Sequence, residues 1–241
     1  MKNFLLIGGF DNTGGAGILA DFKISTYLKT NPCCLIPVIA VQNHEKGFLN
    51  FPMPIEVLQA SLEAIFEKTE IEFCKIGMVG GLEAAEFLAE FLSFRKVKII
   101  LDTPLKASNG SFLQSPEMIK PIAEKSFLIT PNKEEFEVLN CLQPNFFESI
   151  EASVLIKSFS ETETEIVDKL ILKNSHTKVF SSNKIHLQGN VRGTGCSLSS
   201  AICTFLFLGE SLESAIQKGR ELIHHGLKNA IFQGKTGFLE F

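Results

Sequence analysis

Short, uninterrupted apolar runs alternate with helical patterns along almost the whole chain, and this alternation constrains the fold more than any other feature. Residues 4–7 (FLLI), the run CLIPVIAV, the segment ending in KIGMV, residues 97–101 (VKIIL), FLIT and SVLIK each read as a buried strand. Between them apolar residues recur at helical spacing. Ile55, Leu58, Leu62, Ile65 and Phe66 share one face, as do Leu82, Ala85, Leu88, Ala89 and Leu92. Strands that are apolar on both faces and alternate with helices predict a mostly parallel sheet covered on both sides, an α/β fold of three layers. Residues 164–188 read as irregular or antiparallel strands, and two long helices after GTGC are expected to close the chain. No linker, repeat or low-complexity stretch interrupts the pattern, so residues 1–241 are expected to form one domain.

Composition narrows the function classes. With 45% hydrophobic and 21% charged residues the chain can bury a large core, which excludes disorder. The net charge of -4, without a basic stripe, argues against nucleic-acid binding. Phe4–Ile7 is too short to span a bilayer or to serve as a secretory core, so no membrane association and a cytoplasmic location are expected. The six cysteines form no C-x-x-C pair, and the histidines lack zinc-finger spacing. Free thiols in a reducing compartment are therefore expected. Cys33 and Cys34, opening an apolar run, read as packing residues.

In a sheet of this kind ligands bind where the carboxyl ends of the strands meet the loops. Four such ends carry unusual residues. The first is GGFDNTGGAGILAD, where five glycines surround Asp11. It is either a tight strand-to-helix turn or a backbone surface for a ligand. It matches neither the Walker A nor the G-x-G-x-x-G pattern. The second is Asp102, directly after VKIIL, which serves as a turn residue or holds a metal or substrate donor. The third is TPNKEEFEVL. Asn132 and Glu135 have the spacing of a capping box, and their side chains are also placed to hold water around Mg²⁺. The fourth is RGTGCSLSSAI. Gly193 and Gly195 flank Thr194 where a helix begins, and the free amides of its first turn form an anion site. Cys196 lies in the same field, which is expected to lower its thiol pKa if it is partly exposed.

Taken in order, GFDNTGGAGILADFK, AVQN, KIGMVG, the Asp after VKIIL, LITPNKEE, RGTGCSLSSAI and the closing GKTGFL resemble the hydroxymethylpyrimidine/phosphomethylpyrimidine kinases, a ribokinase-like family of thiamine biosynthesis. The resemblance runs from about residue 5 to the end. It implies a ribokinase-like three-layer αβα fold, ATP and Mg²⁺ as co-reactants, a small pyrimidine as substrate and a homodimer. It places Gly9, Asp11, Asp21, Gln42, Met78 and Pro104 in the pyrimidine pocket. Gly193, Thr194, Gly195 and Cys196 become the catalytic anion hole. Asp102, Asn132 and Glu135 fall on the metal side, and Lys157 on the phosphates of the nucleotide; Arg192 joins Lys157 as a nucleotide-side candidate through its own side-chain chemistry.

This chain departs from the family pattern in places. Ser158–Ser160 (SFS) stands where a G-G-H follows the lysine, Pro104 replaces a common valine, and Arg192 precedes GTGC where a histidine is common. An arginine there can contact a phosphate of the substrate or of ATP. Pyridoxal kinases of the same fold, and a pyrimidine-binding relative without turnover, stand as alternatives.

Overall fold

The computed structural model describes residues 1–43, 45–107, 110–142 and 145–241. The chain opens with strand β1 (Lys2–Ile7), the short strand β2 (Phe10–Asp11) and helix α1 (Gly17–Tyr27). Strands β3 (Cys33–Leu35), β4 (Val38–Gln42) and β5 (Gly47–Pro52) follow. The run CLIPVIAV, expected as one strand, is therefore two. Pro37 has no N–H to offer the ladder, and the chain breaks there. β3 joins the main sheet beside β1, while β4 leaves it to build a small sheet of order β2-β4-β5.

Then come α2 (Ile55–Lys68), β6 (Glu70–Ile76), α3 (Leu82–Phe94), β7 (Lys98–Asp102), α4 (Pro116–Ala123), β8 (Ser126–Thr130) and α5 (Lys133–Leu142). Strands β9 (Ser153–Glu161), β10 (Glu165–Ile171) and β11 (Thr177–Asn183) run antiparallel to one another. The chain ends with β12 (Asn190–Arg192), α6 (Thr194–Phe207), α7 (Leu212–Lys228), β13 (Ile231–Gln233) and β14 (Thr236–Phe238). The last element is thus a strand and not a helix. β14 pairs in parallel with β12, setting Arg192 opposite Phe238.

The main sheet has the order β11-β10-β9-β8-β7-β6-β1-β3, parallel from β9 to β3. Its strands send alternate residues to opposite faces. Leu5 and Ile7 of β1, with Ile99 and Leu101 of β7, enter a core with Leu58, Leu88, Ile119 and Leu139 of α2–α5. Phe4, Leu6 and Ile100 enter the other core, with Ile24, Ile202 and Ile216 of α1, α6 and α7. Burying each such side chain is worth roughly 1.5–3 kcal/mol, which fixes the strand faces and the three layers. β1 pairs with β3 on one side and β6 on the other, so the chain order reverses there, and α6 packs across β1, β6 and β7. A reversal of this kind opens a crevice at the strands' carboxyl ends. No helix among the described residues is long and apolar enough to cross a membrane.

Candidate active site

A cleft of about 740 Å³ opens at that crevice, between the small β2-β4-β5 sheet and the start of α6. Gly9, Asp11, Gln42, Met78, Asp102, Pro104, Asn132, Glu135, Lys157, Arg192 and Gly193–Cys196 all line it. Asp21 does not. It lies on the inward face of α1 with Ile18, Ile24 and Ser25, has no exposed surface, and pairs with Lys75 beneath the cleft.

The anion site is built by backbone geometry. Gly193 caps α6 with φ +72°, and a Cβ there would stand 2.3 Å from the carbonyl oxygen of Gly15. Only glycine fits. The Ser197 N–H donates to the Gly193 carbonyl at 2.8 Å, so the helix is established by its first turn. Its leading amides have no carbonyl partner within the helix, and the residues that carry them, Gly193–Cys196, line the cleft. A Cβ on Gly195 would be 3.2 Å from Lys157 Nζ, so the lysine sits against this turn.

Three acid–base pairs surround the helix start. Lys157 Nζ is 2.8 Å from Asp102 Oδ1, Lys75 Nζ is 2.6 Å from Asp21 Oδ2, and Arg192 Nη2 is 3.3 Å from Asp11 Oδ2. All six side chains are largely buried, so each cation is held in place by its aspartate. Burial opposes the charged form of Asp102, but Lys157 and then Lys75 outweigh it and hold the carboxyl below its usual range. Burial also opposes the Lys75 ammonium. Asp21, Cys196 and Asp102 reverse that, and its net shift is upward. Asp21 is pushed up to about 6 by burial, with Lys75 pulling the other way.

Asn132 and Glu135 form a reciprocal capping box at the start of α5. The Asn132 N–H donates to Glu135 Oε2 at 2.9 Å, and the Glu135 N–H donates to Asn132 Oδ1 at 2.8 Å. Thr103 Oγ1 donates to the same Glu135 oxygen at 3.1 Å. Burial raises the Glu135 carboxyl, Lys157 lowers it, and Asp102 raises it further. Two buried carboxylates beside one lysine form a hard oxygen set that suits Mg²⁺. Among the described residues no three His, Cys, Asp or Glu side chains gather into a cage. Mg²⁺ commonly takes one or two carboxylates and completes its shell with water and phosphate oxygens.

The expected lowering of the Cys196 thiol is not seen. Burial pushes it up to about 12; Lys75 pulls it down, while Asp102 and Asp21 push it up again. Burial and carboxylates distant in sequence set the direction of the shift.

The family model for phosphomethylpyrimidine kinase matches residues 11–238. A hydroxymethylpyrimidine/phosphomethylpyrimidine kinase of Aquifex aeolicus is 35% identical, covering 96% of both chains. The chain belongs to the phosphomethylpyrimidine kinase family. Among solved structures, the phosphomethylpyrimidine kinase of Clostridium difficile is similar with TM-score 0.73 and 26% identity, covering 93% of this chain and 98% of that one. A Staphylococcus aureus pyridoxal kinase, solved with AMP-PCP and pyridoxal, superimposes with TM-score 0.85 over 100% of this chain and 93% of that one. At 21% identity that likeness speaks for the fold alone. The fold is ribokinase-like, as the motif order implied.

Two sets of residues were not foreseen. The segment between β7 and α4 puts Leu105, Lys106, Phe112 and Gln114 on the cleft wall. Its sequence has no regular period to announce it. Lys75 was also missed, though a lysine inside the apolar run FCKIGM signals a buried charge that needs an acid.

Proposed function

We propose that this chain transfers the γ-phosphoryl group of ATP to hydroxymethylpyrimidine and to its monophosphate. The observation that carries this reading is the start of α6 opening onto the Asp102–Lys157 pair, within one cleft that also holds Gln42 and Met78. Phosphoryl transfer asks a protein mainly for positioning and charge neutralisation. The α6 amides and Lys157 supply neutralisation, acting in a partly dry site where fixed dipoles count for more than in water.

On the other side, Gln42 offers a carboxamide donor and acceptor to the edge of the ring, and Met78 packs against it. Asn12 Oδ1 accepts the Gln42 N–H at 2.9 Å, which fixes the β4 end relative to the glycine-rich loop. These residues hold the acceptor oxygen in line with the γ-phosphorus. That oxygen forms a bond to phosphorus as the β–γ bridging bond breaks, and ADP leaves with the electron pair. Asp102 and Glu135, with Asn132, would hold Mg²⁺, which when bound neutralises charge on the β- and γ-phosphates. In this reading Cys196 acts as a thiol hydrogen-bond donor and not as a thiolate base. A hydroxyl acceptor gives up its proton late, to an oxygen of the transferred group.

ADP release measured with hydroxymethylpyrimidine, its monophosphate and pyridoxal, each with ATP and Mg²⁺, tests the reading. Turnover of either pyrimidine above pyridoxal supports it, and turnover of pyridoxal alone overturns it. One catalytic unit across residues 1–241, a homodimer and a cytosolic location belong to the same reading. Light scattering and cell fractionation test the last two.

A further inference from the structure

Arg192 is the last residue before the α6 cap and lies on the floor of the cleft with 4% of its surface exposed. Its aliphatic part packs under the glycine-rich loop, where a Cβ on Gly15 would meet its Cβ and Cδ at 3.3 Å. Among the described residues its one polar contact is Nη2 with Asp11 Oδ2, a long hydrogen bond at 3.3 Å. Nε and Nη1 are buried and have no acceptor among the described residues. A buried guanidinium with two idle nitrogens is incompletely matched, since unpaired buried donors carry a full desolvation cost.

Its position in the cleft identifies the matching group. Lys157 serves the side formed by β7, β8 and β9, with Asp102, Asn132 and Glu135. Arg192 is tied through Asp11 to β2, which pairs with β4, the strand that carries Gln42. It thus stands on the acceptor side, continuous with the α6 amides.

Resting on the reading above, we infer that Arg192 binds the phosphate of a phosphorylated acceptor, and so sets the preference for a phosphomonoester over the free alcohol. Asp11 then acts as a counterweight. It orients the guanidinium while the site is empty of anion and competes with an incoming phosphate for it. Asp11 is itself fixed, because its Oδ1 accepts from the Thr13 N–H at 2.9 Å and from Thr13 Oγ1 at 2.8 Å. Arginine suits the task, being always charged and geometrically matched to phosphate. The chemistry is consistent: an ionised phosphate oxygen attacks the γ-phosphorus, the β–γ bond breaks, ADP departs with the electron pair, and the attacking oxygen carries no proton, so no base is needed.

The test compares kcat/KM for hydroxymethylpyrimidine monophosphate and for hydroxymethylpyrimidine at saturating ATP. In Arg192→Gln the ratio of monophosphate to alcohol falls at least tenfold, carried by KM for the monophosphate. In Arg192→Lys, which keeps charge and bulk and guards against loss of folding, it falls about threefold to tenfold. In Asp11→Asn, which retains an oxygen for Thr13, the ratio rises. An unchanged ratio in both arginine variants overturns the inference, as does an effect confined to KM for ATP. A wild-type chain that phosphorylates the alcohol but not the monophosphate also overturns it while leaving the kinase reading intact. A wild type that turns over neither pyrimidine overturns both.

Discussion

Arg220 Nε of α7 stands 2.8 Å from Asp168 Oδ2 of β10, and the other oxygen of that carboxylate accepts the Ser158 N–H at 2.7 Å. Arg220 also donates to the carbonyls of Ser181 and Ile166 and to Ser182 Oγ. Ser158 follows Lys157 directly and has φ +49°, opposite a register shift in β10. The buried pair thus holds the kink that follows the phosphate-side lysine.

Asp168→Ala leaves Arg220 buried without its carboxylate. Breaking a buried pair from one side costs about 3–5 kcal/mol. The urea midpoint is expected to fall accordingly, with an unchanged slope. Ser158→Gly acts in the opposite direction. It relieves left-handed strain of roughly 1–2 kcal/mol and gives back about 0.5–1 kcal/mol in chain flexibility. A small rise in midpoint is expected.

Lys157→Met removes a cation lodged against the α6 turn while keeping most of its volume. Losing one preorganised partner of a developing charge costs about 10²–10³ in kcat. Initial rates at saturating ATP and acceptor read the loss directly. KM for the acceptor is expected to change far less.

The stability of the fold should depend on Asp21 in a definite direction. Its carboxyl is raised by burial to about 6 from 3.8. Between these values the folded chain holds a proton that the unfolded chain has released, so stability declines as pH climbs from about 4 to about 6. Urea midpoints at pH 4, 5, 6 and 7 measure this contribution. The double variant Asp21→Asn/Lys75→Met removes both charges together and is expected to lose that part of the decline.

Thiol labelling separates exposure from helix-end activation. Cys141 is exposed, Cys74 and Cys203 are buried, and Cys196 is intermediate with its thiol held near 12. Iodoacetamide at pH 8, followed by mass spectrometry, is expected to modify Cys141 well before Cys196, because the thiolate is the reactive form. Faster labelling of Cys196 would show that the helix field prevails there.

The layers were legible because each parallel strand is apolar on both faces, as in VKIIL, and each helix shows its stripe, as in Leu82–Leu92. The cleft was legible because its residues follow strand ends in sequence. What escaped depends on partners that meet only in three dimensions. Asp21 looked like a pocket acid until Lys75, 54 residues away, proved to take it inward. Cys196 looked activated because the helix start is local, whereas Asp21 and Asp102 reach it only through the sheet. Asp168 and Arg220, 52 residues apart, carry no local signature at all. The β3–β4 break is different: Pro37 announces it, and the apolar run around it masked the signal.

The closing strand β14 lies alongside β12 with Phe238 opposite Arg192, and the Phe238 ring comes within 2.9 Å of a Cβ position on Gly15. Lys23 of α1 donates to the Leu239 carbonyl at 2.7 Å, locking the same end down. The final residues therefore behave as a keel under the acceptor side of the cleft. An affinity tag joined after Phe241 pulls on that keel, and enzymology is better done with the tag at Met1, whose side chain is exposed.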